Sequence, residues 1–518
     1  MKVLIGNPVF RRPVGDDLER YLLGSGMRFP WSLLKHKDER PRYAMFPFFL
    51  SYTAALLEQD GVDVRVVDAV PLNLTDEEFT ARVAECAPDL LVLEPNSAVI
   101  DDVMALVAML CGDRQMQVVL TGTHASAFAE QLLGDNPDVD FVVVGEYERA
   151  VQELVRALRA GRPVDSIPGV SYRNAVGEVI ENGRTTPIEV LDELPPPARH
   201  LFPSYFDPDM SLYFDGFCQK QPAFHMHTSR GCPFRCNFCG WVQVLYDSGP
   251  QRFFSPQRVV DEMEMLVKDW GAQEIYFDDD NFSSRPSHVE ALCEELVRRG
   301  RPVAWSAMAD AMGLSDKLLE KMAAAGCIGI KFGIDSADTS VLSETNKPLR
   351  LERLESIVTR ARRLGIKTHA TVVFGLSGET RETMNKTFDY SCRIDIDSIQ
   401  FSIATPIPGT TMYRDLEDAG RLTACSWDEF DGANTSVIKY DDFSRSFIED
   451  FQATAHSRWL RAKLRSPRWA LRQLRFLAQL TRNQGLSGLR KRLGRGMSLA
   501  RGDAVAFTGD QPVRSLRR

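Results

Sequence analysis

Residues Thr228–Trp241 read TSRGCPFRCNFCGW and contain three of the ten cysteines of this 518-residue chain. Cys232, Cys236 and Cys239 are spaced C-x3-C-x2-C, in a turn that also holds a glycine and a proline. Three thiolates this close in sequence can hold three corners of an iron–sulfur cube and leave the fourth iron open to another ligand. The spacing therefore predicts a cluster with one reactive iron.

A structural zinc site is the competing interpretation of these cysteines. Structural zinc takes four ligands, which usually come as two separated pairs. Cys218, Cys293 and Cys327 each stand alone in the sequence, so they form no second pair. The ligand count favours the cluster over zinc.

The length predicts several domains, and the composition is that of an ordinary globular protein, with 44% hydrophobic and 26% charged residues. The net charge of −9 argues against nucleic acid as a partner. Ten cysteines in a chain of this length are too few for a disulfide framework, and an oxygen-sensitive cluster suits a reducing compartment.

The start Met1–Pro8 reads as a strand and not as a signal peptide, and no apolar run reaches the roughly 18 residues of a membrane span. We expect a cytoplasmic protein without a transmembrane segment.

Residues 1–160 alternate short apolar runs with helical patterns, which predicts a parallel α/β layer. The predicted strands are Val3–Ile5, Val62–Val67, Leu90–Leu93, Val118–Leu120 and Phe141–Val144. In an open parallel sheet a ligand binds beyond the carboxyl ends of the strands, so the loops that follow them are the candidate binding surface. No G-x-G-x-x-G follows the first strand, which argues against a dinucleotide.

Residues 161–222 predict a connector that contains a hairpin around Ala175–Gly177 and a Pro-rich segment, Leu194–Pro197. From residue 223 to 430 the strand–helix alternation resumes. The predicted strands are Ala223–Thr228, Glu274–Asp278, Val303–Met308, Ile328–Asp335, Thr368–Phe374 and Ser398–Ala404. Six such units are fewer than the eight of a closed barrel, so we expect a partial, open barrel.

Residues 431–518 are basic and predict helices, with Trp459, Leu460 and Leu464 at helical spacing and arginines between them. One interpretation is a peripheral contact with an anionic membrane surface or partner. The other is a helical cap that packs on the acidic body with its arginines paired. The last residues, Ala500–Arg518, predict a frayed end.

The cysteine loop after the first barrel strand resembles the C-x3-C-x-aromatic-C signature of radical S-adenosylmethionine enzymes. The resemblance implies a [4Fe–4S] cluster on Cys232, Cys236 and Cys239, with S-adenosylmethionine chelated to the open iron and Phe238 against its adenine. It implies that one electron from the cluster releases a 5′-deoxyadenosyl radical, which takes a hydrogen from the substrate. An external reductant of the flavodoxin or ferredoxin type would supply that electron.

Later motifs extend the resemblance to about residue 425. Asp279 and Asp280 follow the second barrel strand, where the family places carboxylates that face cofactor and substrate; the competing interpretation is a solvated loop. Gly333–Ser336 resembles the family's Gly-x-Glu-Ser, which implies cofactor contacts for Asp335 and Ser336. Phe374–Thr380 resembles a Gly-x-Pro-Gly-Glu-Thr turn, which implies such contacts for Gly375 and Glu379. Thr405–Thr410 resembles the Pro-x-Pro-Gly-Thr that ends the sixth strand.

The N-terminal region is similar to the cobalamin-binding domain that precedes the barrel in one large subfamily. The resemblance implies cobalamin contacts from the strand-end loops, at Asn7, Asn96, Ser97, Gly122, His124, Gly145 and Glu146. The D-x-H-x-x-G motif of enzymes that ligate cobalt through histidine is absent, so we expect no cobalt–histidine bond. The alternative is a domain of this fold that has lost the cofactor.

These resemblances imply an α/β architecture with a Rossmann- or flavodoxin-like cobalamin domain, a partial (β/α)6 barrel and an α-helical C-terminal region. They imply methylation of an unactivated carbon of a small-molecule substrate, of the kind met in natural-product, cofactor or lipid biosynthesis. In that scheme methylcobalamin donates the methyl group. A radical ring closure or rearrangement with the same cofactors is the alternative reaction. A non-catalytic cobalamin or iron–sulfur sensor is the alternative class. No motif identifies the substrate.

Overall fold

The computed structural model describes residues 1–24, 32–37, 39–41, 44–112, 116–203, 213–432 and 434–474. Within these residues the chain forms two large sheets that are mainly parallel, one in each half, with helices between their strands. One large hydrophobic cluster extends from Leu4 in the first strand to Trp469 near the end of the described chain. The two halves are therefore packed together through apolar side chains.

The N-terminal half is built on a seven-stranded sheet with one small sheet beside it. Its strands are β1 (Lys2–Asn7), β2 (Val9–Val14), β3 (Leu18–Leu23), β4 (Ser32–His36), β5 (Asp63–Asp68), β6 (Leu90–Leu93), β7 (Gln117–Leu120), β8 (Phe141–Val143), β9 (Val170–Arg173) and β10 (Val179–Glu181). The large sheet has the order β10-β9-β8-β7-β6-β1-β5, in which β9 and β10 are antiparallel and the rest parallel. The five predicted parallel strands are confirmed to within two residues at their ends.

Two features of this half differ from the sequence prediction. The strands β2, β3 and β4 form an antiparallel sheet that the predicted layer lacked. The hairpin of β9 and β10 pairs with β8, so the sheet continues to Glu181 and does not end near residue 160. Strand β2 reads VFRRPV, so two arginines and a proline interrupt its apolar residues. A search for continuous buried strands therefore did not find the antiparallel sheet.

The helices of this half connect the strands of the large sheet. They are α1 (Phe48–Gln59), α2 (Ala69–Leu72), α3 (Asp76–Cys86), α4 (Ile100–Cys111), α5 (Gly122–Ala127), α6 (Ala129–Asp135) and α7 (Glu148–Ala160). Thr75 and Glu78 form a capping box at the start of α3, in which each side chain binds the other residue's backbone N–H. That box was readable from the sequence.

The C-terminal half is a six-stranded parallel sheet. Its strands are β11 (Ala223–Met226), β14 (Glu274–Phe277), β15 (Ala304–Ala309), β16 (Cys327–Asp335), β17 (Lys367–Phe374) and β18 (Ser398–Ile403), which neighbour one another in that order. Short strands β12 (Ser229–Arg230) and β13 (Arg252–Phe253) pair beside it. Because β11 and β18 remain as edges, the barrel is partial, as predicted.

The helices of this half follow its strands and cover the outside of the barrel. They are α8 (Pro256–Trp270), α9 (Pro286–Arg298), α10 (Asp316–Ala324), α11 (Thr339–Glu344), α12 (Leu351–Arg363), α13 (Arg381–Arg393), α14 (Thr411–Asp418) and α15 (Arg445–Leu464). Ser255 caps α8 and Ser315 caps α10, as their sequence positions predict.

The described part of the basic C-terminal region packs on the barrel. The Trp459 indole of α15 donates a hydrogen bond to Ser391 O at 2.9 Å, and Arg472 pairs with Asp395 at 2.5 Å and Asp397 at 3.0 Å. These contacts support the helical cap over the membrane contact for residues up to 474. The remaining predicted helix and the frayed end, residues 475–518, lie outside the described residues. No helix among the described residues is both long and apolar enough to cross a bilayer.

A close approach of two loops at the carboxyl end of the barrel yields a test of this packing. A Cβ atom added at Gly313 would lie 1.9 Å from the Ser283 carbonyl oxygen. We expect Gly313→Ala to lower the free energy of unfolding by about 1–3 kcal/mol, the usual cost of overpacking. Gly134→Ala is the matched control, because nothing lies within 4 Å of its Cβ position. Equal urea midpoints for the two variants would contradict the packing.

Candidate active site

The cysteine loop lies at the carboxyl end of the barrel, directly after β12. Cys232, Cys236 and Cys239 line one cavity of ≈ 300 Å³ that continues into the barrel interior. Among the described residues no three Cys, His, Asp or Glu side chains are close enough together to hold a single metal ion. In a cube-shaped cluster each thiolate binds a different iron, so the three cysteines need not converge on one ion. Three cysteine side chains on one cavity supply the three ligands of such a cluster.

Burial affects the protonation of the cluster ligands. It raises the pKa of the Cys236 thiol to about 11 and that of Cys239 to about 12. Both thiols are therefore protonated at neutral pH in the metal-free chain, and a metal must displace the protons when it binds.

The loop is fixed by hydrogen bonds from its own side chains. The Gln243 amide donates to the Cys236 and Asn237 carbonyl oxygens, each at 2.9 Å, and its oxygen accepts from Thr411 N at 2.9 Å. This one side chain joins the cysteine loop to the start of α14. The ligand positions are therefore set before any metal is bound.

One cysteine sulfur receives a side-chain hydrogen bond. The Asn281 amide donates to Cys232 Sγ at 3.8 Å and lines the same cavity. Hydrogen bonds to ligand sulfur are among the features that set a cluster's reduction potential. Asn281 was not singled out from the sequence, although it lies directly after the three aspartates.

The three aspartates after β14 do not all face the cavity. Asp278 and Asp280 line it, and Asp280 accepts a hydrogen bond from Gly231 N at 2.8 Å. Asp279 points to the other side, where it accepts from Thr228 N at 2.9 Å and Ser229 Oγ at 2.7 Å. This placement corrects the expectation that Asp279 faces cofactor and substrate. Side chains alternate along an extended chain, so Asp279 orients the start of the cysteine loop while its neighbours face the cavity.

The end of β16 contributes an ion pair beside the cluster loop. Asp335 lines the cavity, has the left-handed φ of +59°, and pairs with Lys347 Nζ at 2.7 Å. Burial lowers the pKa of Lys347, but the nearby Asp335 and Cys236 raise it above its usual value, so the ammonium stays charged. Ser336 lies outside the cavity lining and binds Thr387 Oγ1 at 3.2 Å. Lys347 is a cavity residue that the sequence analysis missed.

The turn after β17 is held by a buried glutamate. Glu379 accepts hydrogen bonds from the backbone N–H groups of Gly375 and Leu376, and burial raises its pKa to about 8. Of these three residues only Leu376 lines the cavity, so Gly375 and Glu379 shape the wall from behind. Phe238, the aromatic residue of the signature, does line the cavity.

The N-terminal residues predicted for cobalamin lie at the carboxyl ends of their strands, and several bind one another. Asn7 donates to Asp68 at 2.9 Å, and His124 Nδ1 lies 3.0 Å from Ser97 Oγ. The Asn96 amide donates to the Leu23 carbonyl oxygen at 2.5 Å, and its own oxygen caps the turn at Ala98. Their contact with cobalamin stays a prediction, and Asn96 is already engaged by its own chain.

The backbone shape of these loops and their buried oxygens without a hydrogen-bond partner show whether a corrin fits there. Gly122 has a φ of +91° and Gly145 a φ of +102°, which side-chain-bearing residues rarely adopt. Among the described residues, no hydrogen-bond partner satisfies the buried oxygens Asn7 Oδ1 and Glu94 Oε2. A corrin carries primary amides at its edge, which donate the hydrogen bonds that such oxygens lack. The loops therefore fit an amide-bearing macrocycle.

Glu146 lies in the loop after β8, as predicted, but its carboxylate is engaged by two arginines of the C-terminal half. Its two carboxylate oxygens pair with Arg230 at 2.6 Å and Arg252 at 2.7 Å, and all three side chains are buried. Glu148, at the start of α7, pairs with the other nitrogen of Arg230 at 2.7 Å. Since Arg230 is two residues before Cys232, this network joins the N-terminal sheet to the cluster loop. We name these four side chains the interdomain clamp.

Comparison with known proteins matches each half of the chain to a known protein family. Residues 226–391 match the radical SAM superfamily, and residues 40–155 match the B12 binding domain. The chain is a cobalamin-binding radical SAM enzyme. Its cofactors are a [4Fe–4S] cluster, S-adenosylmethionine and cobalamin, and in this enzyme the two matched regions meet at the interdomain clamp.

Three curated relatives span most of the enzyme. An uncharacterized methyltransferase, PH0819 of Pyrococcus horikoshii, is 28% identical over 81% of this chain and 88% of its own. Cytidylyl-2-hydroxyethylphosphonate methyltransferase of Streptomyces wedmorensis is 28% identical over 74% and 79%. Anaerobic magnesium-protoporphyrin IX monomethyl ester cyclase of Rubrivivax gelatinosus is 26% identical over 78% and 72%.

Solved structures share the fold. The radical S-adenosylmethionine methyltransferase TsrM of Kitasatospora setae, with cobalamin and [4Fe–4S] cluster bound, has a TM-score of 0.61 at 20% identity, covering 82% of this chain and 76% of its own. The cobalamin-dependent enzyme OxsB, with aqua-cobalamin and S-adenosylmethionine bound, has a TM-score of 0.66 at 14% identity, covering 95% and 72%.

The interdomain clamp predicts a stability effect that depends on charge and not on shape. Glu146→Gln keeps the volume but leaves two buried arginines with less compensation, which costs about 3–5 kcal/mol when a buried pair is broken. We expect a lower urea midpoint and less iron per chain after cluster reconstitution. Glu193→Gln is the control, since that carboxylate is 63% exposed and 3.4 Å from Arg149. A Glu146→Gln protein that matches the control in both measurements would show that the clamp has no such role.

Lys347 predicts an effect on cofactor affinity. Its ammonium lines the cavity beside the cluster loop, where it can pair with the carboxylate of bound S-adenosylmethionine. Because a hydrogen bond to a charged group contributes about 1.5–3 kcal/mol, we expect Lys347→Met to weaken S-adenosylmethionine binding by about tenfold or more. Equilibrium dialysis on cluster-loaded protein measures this. Lys386→Met, which removes a 55% exposed ammonium, should bind normally; equal affinities for both variants would rule the contact out.

Proposed function

We propose that this enzyme methylates an unactivated carbon of a small-molecule substrate. The observation that carries the proposal is the continuity of one cavity. It is lined by the three cysteines, by Met45 of the N-terminal half and by the inward-facing residues of the barrel. The space beside the three cysteines therefore continues to the N-terminal half, where a second cofactor would lie next to a substrate. The methyltransferase names of two of the relatives support the same reaction class.

The chain supplies positioning and enclosure for this chemistry. Cys232, Cys236 and Cys239 would hold the cluster, and the strand-end loops at Asn7, Glu94 and Gly122 would hold the corrin. When bound, the cluster supplies an electron for cleavage of S-adenosylmethionine, and cobalamin carries the methyl group. An external one-electron donor of the flavodoxin or ferredoxin type fits this scheme.

The cavity walls suit a radical reaction. Trp241, Met308 and Ile407 present apolar surface beside the cluster loop. Water is excluded from such a surface, which protects a reactive radical from unwanted hydrogen transfer. Asp280 and Asp278 add carboxylates to the cavity lining, where they can accept hydrogen bonds from hydroxyl or ammonium groups.

A ring-forming reaction without methyl transfer is the second candidate. One relative that covers 78% of this chain is named a cyclase. The two reactions differ in their by-products. Methylation consumes one S-adenosylmethionine as radical source and one as methyl source, whereas cyclisation consumes only the first.

The nucleoside products decide between these reactions. With cofactors, reductant and the small-molecule extract of the native host, we expect equal amounts of 5′-deoxyadenosine and S-adenosylhomocysteine. Liquid chromatography with mass detection measures both. Deoxyadenosine without S-adenosylhomocysteine would contradict methylation and favour the cyclase.

Two cysteine variants, one at the cavity and one away from it, test whether the chain is an enzyme. Cys236→Ala should abolish both nucleosides and the brown colour of the cluster, because it removes one of three ligands. Cys425→Ala, which changes an exposed cysteine away from the cavity, should retain both. A Cys236→Ala protein that still cleaves S-adenosylmethionine, or a wild-type protein that never does, would overturn the enzymatic proposal.

A further inference from the structure

The interior of the barrel ends in a buried ion pair. Lys331 of β16 places its ammonium 2.6 Å from Asp215 Oδ2, and the two side chains are 11% and 12% exposed. Both residues line the cavity that holds the three cysteines. The pair is therefore part of the space available to a substrate.

Strand geometry places this pair deep in the barrel. Lys331, Gly333 and Asp335 share the inward face of β16, because side chains on one face recur every second residue. Lys331 is four residues before Asp335, which corresponds to about 13 Å along a strand. A substrate bound at Lys331 would extend from the floor of the barrel toward the cluster loop.

The segment that carries Asp215 closes the bottom of the barrel. Gln219 Nε2 donates to the Ile328 carbonyl oxygen at 2.8 Å, and Phe217 packs against Gly329. Phe217 N in turn donates to Asp215 Oδ1 at 2.7 Å. The carboxylate is thus held rigidly with its second oxygen directed to Lys331.

The pair has unused hydrogen-bonding capacity on the cavity side. Among the described residues the Lys331 ammonium donates one hydrogen bond, to Asp215, and lies 5.4 Å from the centre of the Tyr276 ring. An ammonium has three donors, and a carboxylate has about four acceptor positions. Since a buried ion pair is often no more stabilising than apolar residues of the same size, its presence in the cavity calls for a ligand.

Charge balance limits what that ligand can be. Burial raises the pKa of Asp215, but the Lys331 ammonium and the hydrogen bonds to the carboxylate lower it, to about 2. The pair is therefore ionised and neutral overall. A purely anionic ligand would add a buried negative charge without compensation, which is costly. A group that carries both charges adds none.

We propose that Lys331 binds the carboxylate and Asp215 the ammonium of a zwitterionic head group, so that the substrate is an α-amino acid. This inference rests on the proposed methyl transfer and names its substrate class. The head group occupies the floor of the barrel, and the side chain points to the cluster loop. The methylated carbon is consequently a side-chain carbon.

Ion exchange of the native host's small-molecule extract tests the substrate class. Each fraction is assayed with the fully loaded wild-type enzyme for S-adenosylhomocysteine. We expect the stimulating compound to be retained by a cation exchanger in acid and by an anion exchanger in alkali, as an amino acid is. A stimulating compound retained by only one exchanger, or by neither, overturns the inference but leaves methyl transfer intact. If no fraction yields S-adenosylhomocysteine, methyl transfer itself fails, and the inference falls with it.

Variants test the two residues directly. Lys331→Met and Asp215→Asn should each raise the amount of active fraction needed for half-maximal rate by at least about tenfold, with a smaller effect on the maximal rate. Lys331→Arg keeps the charge and should partly restore the response. Lys321→Met, which changes an outer ammonium paired with Glu290 and Glu294, is the control. Iron and cobalamin contents equal to wild type verify folding, and an unchanged half-maximal amount in both Lys331→Met and Asp215→Asn overturns the inference.

Discussion

The interdomain clamp is the interaction on which the arrangement of this enzyme depends. A carboxylate at the end of one sheet, Glu146, pairs with arginines from both strands of the small β-ribbon that flanks the cluster loop. Arg230 is also covered by the rings of Phe49 and Tyr52, each 4.9 Å away. Charges buried this completely are stable only when they are matched, so neither half can shift without exposing an uncompensated ion. The cysteine loop is thereby fixed against the cobalamin-binding half.

A second constraint operates inside the cavity, where acidic groups outnumber basic ones. Asp278, Asp280 and Asp310 line it together with the Asp335–Lys347 and Asp215–Lys331 pairs. This excess suits a cationic sulfonium next to the cluster. The two lysines mark two depths of the same space: Lys347 lies beside the cluster loop and Lys331 at the barrel floor. The cavity therefore combines charged groups at both depths with apolar wall residues, which allows both cofactor and substrate to be oriented.

The sequence was informative wherever local chemistry determines structure. Continuous apolar runs located the parallel strands, because both faces of those strands are buried, and the cysteine spacing located the cluster loop. It was uninformative where partners are distant in sequence. Asp279 could not be distinguished from Asp278 and Asp280 without knowing which face meets the cavity. Glu146 looked like a cofactor contact because its arginine partners lie 84 and 106 residues away. Lys331 and Lys347 carry no local motif, and only the fold brings them into the site.

The central claim is that a methyl group is transferred to a substrate carbon in the cavity beside the cluster loop. The most direct measurement uses S-adenosylmethionine with a trideuterated methyl group, supplied to the fully loaded enzyme with reductant and the native extract. The account predicts a product that carries the intact trideuterated methyl group on carbon. A product without deuterium, formed while S-adenosylmethionine is cleaved, would contradict it.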